Sequence, residues 1–248
     1  MNEVNLHTPP QEGKADKALA IVKALLGDIV PFGGTFAELA GKFIRTPYQK
    51  RAEEWQTQLG ETLNRLESKL KLLSASQART LEDLQDDPAF VDTVLHATQV
   101  ALRTASEDKR TALRNSIINS GLPLAPDESQ RQMFLNMIES FTSWHLRLLT
   151  LFNAPENWFV KHGRKAPSFG FSTSLSKLLE IAYPELVGHC DFYDQVWAEL
   201  RSAGVVNTES LHGMLSMTGV FAQRTSGLGQ KLVTFISEPY IAGSVFDA

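Results

Sequence analysis

The strongest periodic pattern in the chain lies in residues 47–73, PYQKRAEEWQTQLGETLNRLESKLKLL. The apolar residues of this stretch recur at steps of three and four: Ala52, Trp55, Leu59, Leu63, Leu66, Leu70 and Leu73. This spacing predicts one apolar face of an α-helix, and Pro47 suits the first turn of that helix. At about 1.5 Å per residue the helix would be about 40 Å long, so other long helices must cover its apolar face. The stretch predicts a mainly α fold with a bundle of long helices.

Cap signals downstream of this stretch predict further helices of the bundle. Small polar residues with a side-chain oxygen precede acidic residues or proline at three places, which is typical of helix N-termini. The predicted helices and their caps are 88–105 after Asp87, 107–121 after Ser106, and 128–151 after Asp127.

An apolar segment precedes the long helix at residues 18–44. Its longest charge-free run, 29–37, is far shorter than the roughly 20 residues that a transmembrane helix needs. Proline and glycines at 31–34 predict a tight corner between two short helices. Four basic residues follow the corner, and such a cluster can draw a protein to anionic lipid, although solvated helix ends are the competing interpretation. The four residues are Lys42, Arg45, Lys50 and Arg51.

The helical pattern stops between residues 153 and 171, which hold two prolines, two glycines and a second basic cluster. The cluster consists of Lys161, His162, Arg164 and Lys165. These side chains can bind a phosphate or a carboxylate of a partner, and a solvated loop is the competing interpretation. The sequence therefore divides into four parts: a disordered or loosely ordered N-terminus at 1–13, a helical bundle at 14–160, a basic linker at 161–173 and a small domain at 174–248.

The predicted elements of the small domain follow the order of a winged-helix-like module. Helices over 174–183 and 191–203 precede a ribbon of two short strands, and a helix over 225–236 closes the module. The ribbon is predicted at 205–206 and 219–224. The predicted core of the module consists of Phe192, Trp197, Leu228 and Phe235.

The distribution of charge argues against nucleic acid as the main partner. The chain carries 24 basic and 28 acidic residues, a formal net charge of −4. Residues 172–248 contain four basic and eight acidic residues, so the whole net charge lies in the small domain. Because phosphate contacts dominate DNA affinity, the module is interpreted as protein-binding or self-associating.

No pattern in the sequence predicts a catalytic site, a metal site or a cofactor. His189, Cys190 and Asp191 are of metal-binding type, but three consecutive side chains cannot converge on one ion. Cys190 is the only cysteine, so no intramolecular disulfide can form and a reducing cytosol is the expected location. His96 and His145 lie on predicted helices that can face each other, and both are interpreted as hydrogen-bonded core residues.

Two stretches carry structural motifs that belong together. The first is IVPFGG at 29–34 with RTPYQKR at 45–51, and the second is LRSAGVV at 200–206 with RTSGLG at 224–229 and Phe235–Ile236. With these motifs the chain resembles the abortive-infection alpha-type (Abi-alpha) family of bacterial proteins over most of its length. The resemblance implies an all-helical body, a small C-terminal domain and a role in defence against phage, and it implies no catalytic residue. Ser226 stands where a proline is more usual.

These observations lead to one predicted function and two alternatives. The first is a non-enzymatic interaction or assembly protein of bacterial anti-phage defence, which binds a protein partner or itself. It would be cytoplasmic, with the periphery of the inner membrane as an open alternative. The second is a membrane-acting effector that uses the 18–44 hairpin and the adjacent basic cluster. The third is a DNA-binding regulator that uses the winged-helix-like domain.

Overall fold

The computed structural model of the chain describes residues 41–73 and 79–239, which form a mainly helical structure. The predicted N-terminal region 1–13 and most of the 18–44 hairpin lie outside the described residues. The α-helices are α1 Gly41–Leu70, α2 Leu81–Gln85, α3 Pro88–Arg103, α4 Glu107–Gly121, α5 Glu128–Ser140, α6 Ser143–Asn153, α7 Pro155–Lys161, α8 Leu175–Ala182, α9 Cys190–Ser202, α10 Met217–Val220 and α11 Gly227–Ile236. A 3-10 helix spans Pro184–Leu186, and the strands are β1 Ser172–Thr173 and β2 Leu215–Ser216.

Helix α1 buries the apolar face that its sequence predicts. Its central aromatic and leucine side chains are all at most 2% exposed: Trp55, Leu59, Leu63, Leu66 and Leu70. The helix packs against α3 and α4, which cover it as a helix of this length requires. The predicted mainly α class and the helical bundle are confirmed.

The predicted start of the long helix at Pro47 is wrong. Helix α1 already includes Gly41, and Pro47 lies inside it. Proline has no N–H, so the carbonyl group four residues earlier loses its intrahelical donor. The tertiary packing of the face from Ala52 to Leu70 compensates this local cost, since packing supplies most of the stability of helices in proteins.

All three predicted caps form as expected, and the Asp127 carboxylate accepts the N–H of Gln130 at 2.9 Å at the start of α5. The Asp87 carboxylate accepts the backbone N–H of Ala89 at 3.0 Å and thereby begins α3. The Ser106 hydroxyl accepts the N–H of Lys109 at 3.3 Å at the start of α4. Local side-chain chemistry therefore sets these three boundaries.

The predicted continuous helix over 128–151 is wrong, because the chain forms two helices with a break at Phe141–Thr142. Thr142 has an extended backbone, and its N–H donates to Nδ1 of His145 at 3.0 Å. The Thr142 hydroxyl lies 2.8 Å from the same nitrogen. This local network starts α6 anew, although the apolar periodicity continues across the break.

The C-terminal part differs from its prediction in the ribbon. The predicted strand at 219–224 is wrong, because residues 217–220 form α10, whose cap is the Ser216 hydroxyl that accepts the N–H of Gly219 at 3.1 Å. The predicted strand at 205–206 is reduced to a single antiparallel bridge between Val206 and Thr225. The observed two-stranded sheet instead pairs β1 with β2 in antiparallel register, with Ser172 opposite Ser216.

Helix α9 buries Tyr193 in place of the predicted Phe192, while Trp197 is buried as predicted. Tyr193, Val196, Trp197 and Leu200 are its buried side chains. Phe192 lies beside this stripe and is 45% exposed, so its assignment to the core is wrong. Trp197 and Phe235 are buried as predicted, and Leu228 is half-buried.

Helix α11 packs on the bundle, against α4 and α6. Its start is fixed by Ser226, whose hydroxyl accepts the N–H of Gly229 at 3.0 Å and donates to the carbonyl of Gly204 at 2.6 Å. Its end is held by two amides of α4. Asn115 donates to the carbonyl of Ile236 at 2.9 Å, and Asn119 donates to three carbonyls between residues 234 and 237. Helix α4 therefore satisfies backbone acceptors that the end of α11 leaves open.

Gly229 is required for the close approach of α11 to the segment after α9. A Cβ atom at this position would lie 1.9 Å from the carbonyl oxygen of Val205. We expect Gly229→Ala to lower the free energy of unfolding by about 1–3 kcal/mol or more, because a backbone atom cannot move aside as a rotamer can. The matched control is Gly227→Ala, since no atom lies within 4 Å of a Cβ there. Urea unfolding followed by circular dichroism checks the difference, and equal midpoints for the two variants would contradict it.

The indole N–H of Trp55 depends on one partner in the bundle core. It donates to the hydroxyl of Thr98 on α3 at 3.1 Å. We expect Thr98→Val to lower the free energy of unfolding by about 1–3 kcal/mol, because the buried N–H then has no acceptor. Thr93→Val is the control: Thr93 is also buried, but its hydroxyl donates only to the carbonyl of Ala89 in its own helix. A control that destabilises as much as Thr98→Val in the same unfolding experiment would refute this account.

Candidate functional site

A cleft of about 1460 Å³ opens between the loop after α4, helix α7 and helix α11. The first wall is the segment 122–127 together with Gln130, and the second wall includes Asn157, Trp158 and Lys161 of α7. Helix α11 forms the third wall and continues into 237–239. Sites for small molecules measure about 300–1,000 Å³, so this cleft is larger than a metabolite requires.

Prolines shape two of the three walls. Pro123 and Pro126 lie in the loop that follows α4, where they prevent the helix from continuing beyond Gly121. Pro155 occupies the first position of α7 directly after α6, and Ala154 makes the bend between the two helices. The cleft therefore lies where two helices of the bundle end and turn.

The inner surface of the cleft is aromatic and ordered by contacts. Trp158 is buried, and its ring stacks on the imidazole of His162 with 3.8 Å between centroids. The ring edge of Tyr183 lies against Trp158 at 5.1 Å. Phe235 of α11 is buried beside the cleft and contacts Phe134 at 5.6 Å. These contacts give the cleft a rigid apolar floor.

One strongly exposed apolar side chain lies at the mouth of the cleft. Leu124 lines the cleft and is 97% exposed. Its side chain is therefore accessible to a molecule that enters the cleft.

Two lysines face the cleft from different walls, Lys161 on α7 and Lys231 on α11. Neither has an ion-pair partner within residues 47–73 and 79–239. Asp127 and Glu238 are the two carboxylates of the lining.

Both lining carboxylates are already engaged. Asp127 caps α5 by accepting the N–H of Gln130 at 2.9 Å. Glu238 binds Arg65, and it lies 3.3 Å from Nζ of Lys69. Partial burial raises the pKa of Glu238, but the hydrogen bond and charge of Arg65 outweigh it and lower the pKa overall. Positive charge is therefore left over in the cleft.

The predicted basic linker contributes two of its four residues to the cleft. Lys161 and His162 line it, whereas Arg164 and Lys165 are outside the lining. The Arg164 guanidinium donates to the carbonyl of Ala182 at 2.8 Å and lies 5.4 Å from the ring of Phe159. Arg164 thus caps the end of α8, and its role in the structure is to join α7 to α8.

The other predicted basic cluster is only partly described. The side chains of Lys42 and Arg45 lie outside the described residues. Lys50 is exposed and 3.9 Å from Glu54, while Arg51 is half-buried. No helix within residues 41–73 and 79–239 combines the length and the apolar character needed to cross a membrane.

The two histidines that were expected to face each other have separate partners. Nε2 of His96 lies 3.2 Å from Glu139, whereas Nε2 of His145 lies 2.9 Å from Glu199 of α9. His145 is 3% exposed, which confirms it as a hydrogen-bonded core residue. Because Nδ1 accepts the N–H of Thr142, the imidazole proton lies on Nε2 and is donated to Glu199. This bond joins α6 to α9 across 54 positions, and no local signal in the sequence reveals it.

The residues of metal-binding type do not come together with further ligands. Cys190 is exposed, and its sulfur lies 3.9 Å from the carboxylate of Asp191. Among the described residues, no group of three His, Cys, Asp or Glu side chains could hold a metal ion. The sequence interpretation missed a surface pair of His212 and Asp194, 2.8 Å apart, beside a smaller pocket of about 530 Å³.

Comparisons with known proteins identify no relative of this chain. No protein-family model, curated protein or solved structure matches the chain. The resemblance to the Abi-alpha family therefore stays a prediction.

We expect the stability of the protein to decrease as the pH falls from about 7.5 to about 5.5, and His145 to cause much of this decrease. Burial lowers the pKa of His145 below its ordinary value of 6.5, and Glu199 opposes this only in part. The unfolded chain therefore binds the proton more strongly, so the stabilisation is complete above 6.5 and is lost as the pH falls through the folded-state pKa.

His145→Gln tests this assignment, because glutamine keeps an N–H donor for Glu199 and does not titrate. Urea midpoints at the two pH values should differ less in His145→Gln than in the wild type. His212→Gln is the control, since His212 also pairs with a carboxylate but is exposed. An unchanged pH dependence in His145→Gln would show that other groups cause it.

Proposed function

We propose that this chain is a non-enzymatic interaction protein that binds a segment of a partner protein in the cleft between α7 and α11. The size of the cleft, together with the exposed leucine at its mouth, is the observation that carries the proposal. A concave surface with an exposed leucine and a few polar groups suits a peptide segment, whose side chains enter the cleft while its backbone needs hydrogen-bond partners.

Side-chain amides in the walls support a peptide as the bound group. Asn157 and Gln130 line the cleft, and their amide groups have no hydrogen-bond partner among the residues that the structure describes. An amide offers both a donor and an acceptor, which match the N–H and C=O groups of an extended backbone. The lining therefore provides polar contacts that do not depend on the partner's side chains.

We further propose that the predicted small domain at 174–248, of which the structure describes residues 174–239, is a winged-helix-like module that serves protein binding. The order of α8, α9, the bridge between Val206 and Thr225, and α11 supports this assignment. Helix α9 packs against α6 and carries acidic side chains in Asp191, Asp194 and Glu199. These features are unfavourable for insertion into a DNA groove, whereas α11 contributes a wall of the cleft.

A place in bacterial anti-phage defence, in the cytoplasm, belongs to the same proposal, and it is supported by the sequence resemblance alone. The membrane-acting alternative depends on residues 18–44, most of which lie outside the described residues. The DNA-binding alternative is weakened by the acidic α9. Protein interaction is therefore the function that the geometry favours.

Selection from a random peptide library tests the proposed function. We expect the wild-type protein to enrich peptides whose affinity falls about tenfold or more in Leu124→Asp, because an apolar anchor at the mouth is replaced by a charge. Val187→Asp is the matched control, since Val187 is also exposed and lies outside the cleft lining. Fluorescence anisotropy with labelled peptides measures the affinities. The absence of enrichment, or equal loss in both variants, would refute the function.

A further inference from the structure

We infer that the segment bound in the cleft is acidic, with its carboxylates placed between Lys161 of α7 and Lys231 of α11. This inference rests on the proposed function and adds the chemistry of the partner. The two lysines lie on different walls, and both side chains are exposed. A bound segment that carries carboxylates would pass between them and contact both.

The balance of charge around the cleft supports an anionic occupant. The two lining carboxylates are engaged within the protein, Asp127 by the start of α5 and Glu238 by Arg65 and Lys69. When these two partners are included, four basic side chains are set against two carboxylates at the cleft. The whole chain has a net charge of −4, so this local excess of positive charge is opposite in sign to the rest of the molecule.

His162 adds a third polar group on the α7 wall. Its Nδ1 lies 2.7 Å from the carbonyl of Trp158, so Nδ1 carries a proton and donates it to that carbonyl. The stacking of the imidazole on Trp158 fixes the ring next to the cleft. With Nδ1 as the donor to Trp158, Nε2 is left as an acceptor for an N–H group of the bound segment.

The small number of cations favours an acidic peptide over a nucleic acid. Nucleic acid affinity comes from many phosphate contacts along an extended backbone, and such a strand would meet the excess acidic charge of this chain outside the cleft. An acidic peptide needs only two or three cations, and its apolar residues can contact Leu124 at the mouth. The combination of two lysines with the exposed Leu124 therefore fits a segment that carries both acidic and apolar residues.

Charge reversal in the cleft tests this inference. The random peptide library is selected in parallel on the wild type and on the double variant Lys161→Glu/Lys231→Glu. We expect acidic residues to be enriched in peptides selected by the wild type, and basic residues in those selected by the double variant. The double variant should bind the acidic peptides at least tenfold more weakly, and the wild-type affinity should fall as salt is raised.

A second double variant, Lys165→Glu/Lys177→Glu, controls for the change in net charge. Both lysines are exposed and outside the cleft lining, so this variant should keep the preference for acidic peptides. Circular dichroism verifies that all variants are folded. The effect of charge reversal on affinity can then be assigned to the cleft rather than to the charge of the whole molecule.

The outcomes separate the inference from the function on which it rests. Peptides that bind in a Leu124-dependent way but show no acidic bias, or that bind the cleft double variant equally well, would overturn the inference and leave the function standing. No selected peptide at all would overturn both. Tighter binding of a labelled single-stranded oligonucleotide than of the acidic peptides would also overturn the inference.

Discussion

Burial of the apolar stripe of α1 is the constraint on which the other described helices depend. A helix of 30 residues with buried tryptophan and leucines is stable only when neighbours cover it, and α3 and α4 do so. The contact is close enough that a Cβ at Gly121 would lie 2.7 Å from Leu66. Helix α4 then holds α11 through Asn115 and Asn119, so the C-terminal part takes its position from the same bundle.

The cleft follows from this arrangement. Helix α4 ends at Gly121, and α6 turns into α7 at Ala154. Helix α11 packs against α4 and α6. Contacts outside the cleft hold its walls in place. For example, Arg164 donates a hydrogen bond to the carbonyl of Ala182 at the end of α8. Among the described residues, Lys161 and Lys231 have no ion-pair partner and Leu124 is exposed, so these three side chains are accessible for the proposed binding.

Local chemistry was predictable from the sequence, whereas long-range contacts were not. Asp87 and Ser106 act within three residues, and the α1 stripe follows from periodicity alone. The break at Thr142 was missed because apolar spacing continues through it, although the hydroxyl cluster of Ser140, Thr142 and Ser143 is a usable signal for a cap. The sequence identified Lys161 and His162 as basic. Their position in the same cleft as Lys231 depends on the packing of α11 against α4 and α6.

The hydrogen bonds from the asparagine side chains of α4 to the end of α11 can form only late in synthesis. Asn115 and its acceptor at residue 236 are 121 positions apart, so a ribosome completes α4 long before it makes α11. Until then α11 does not cover the side of α4 against which it later packs, nor the ring of Phe134, which later meets Phe235. The nascent bundle therefore carries an uncovered apolar surface from the completion of α4 until α11 is made, and surfaces of this kind are the ones that chaperones protect during folding.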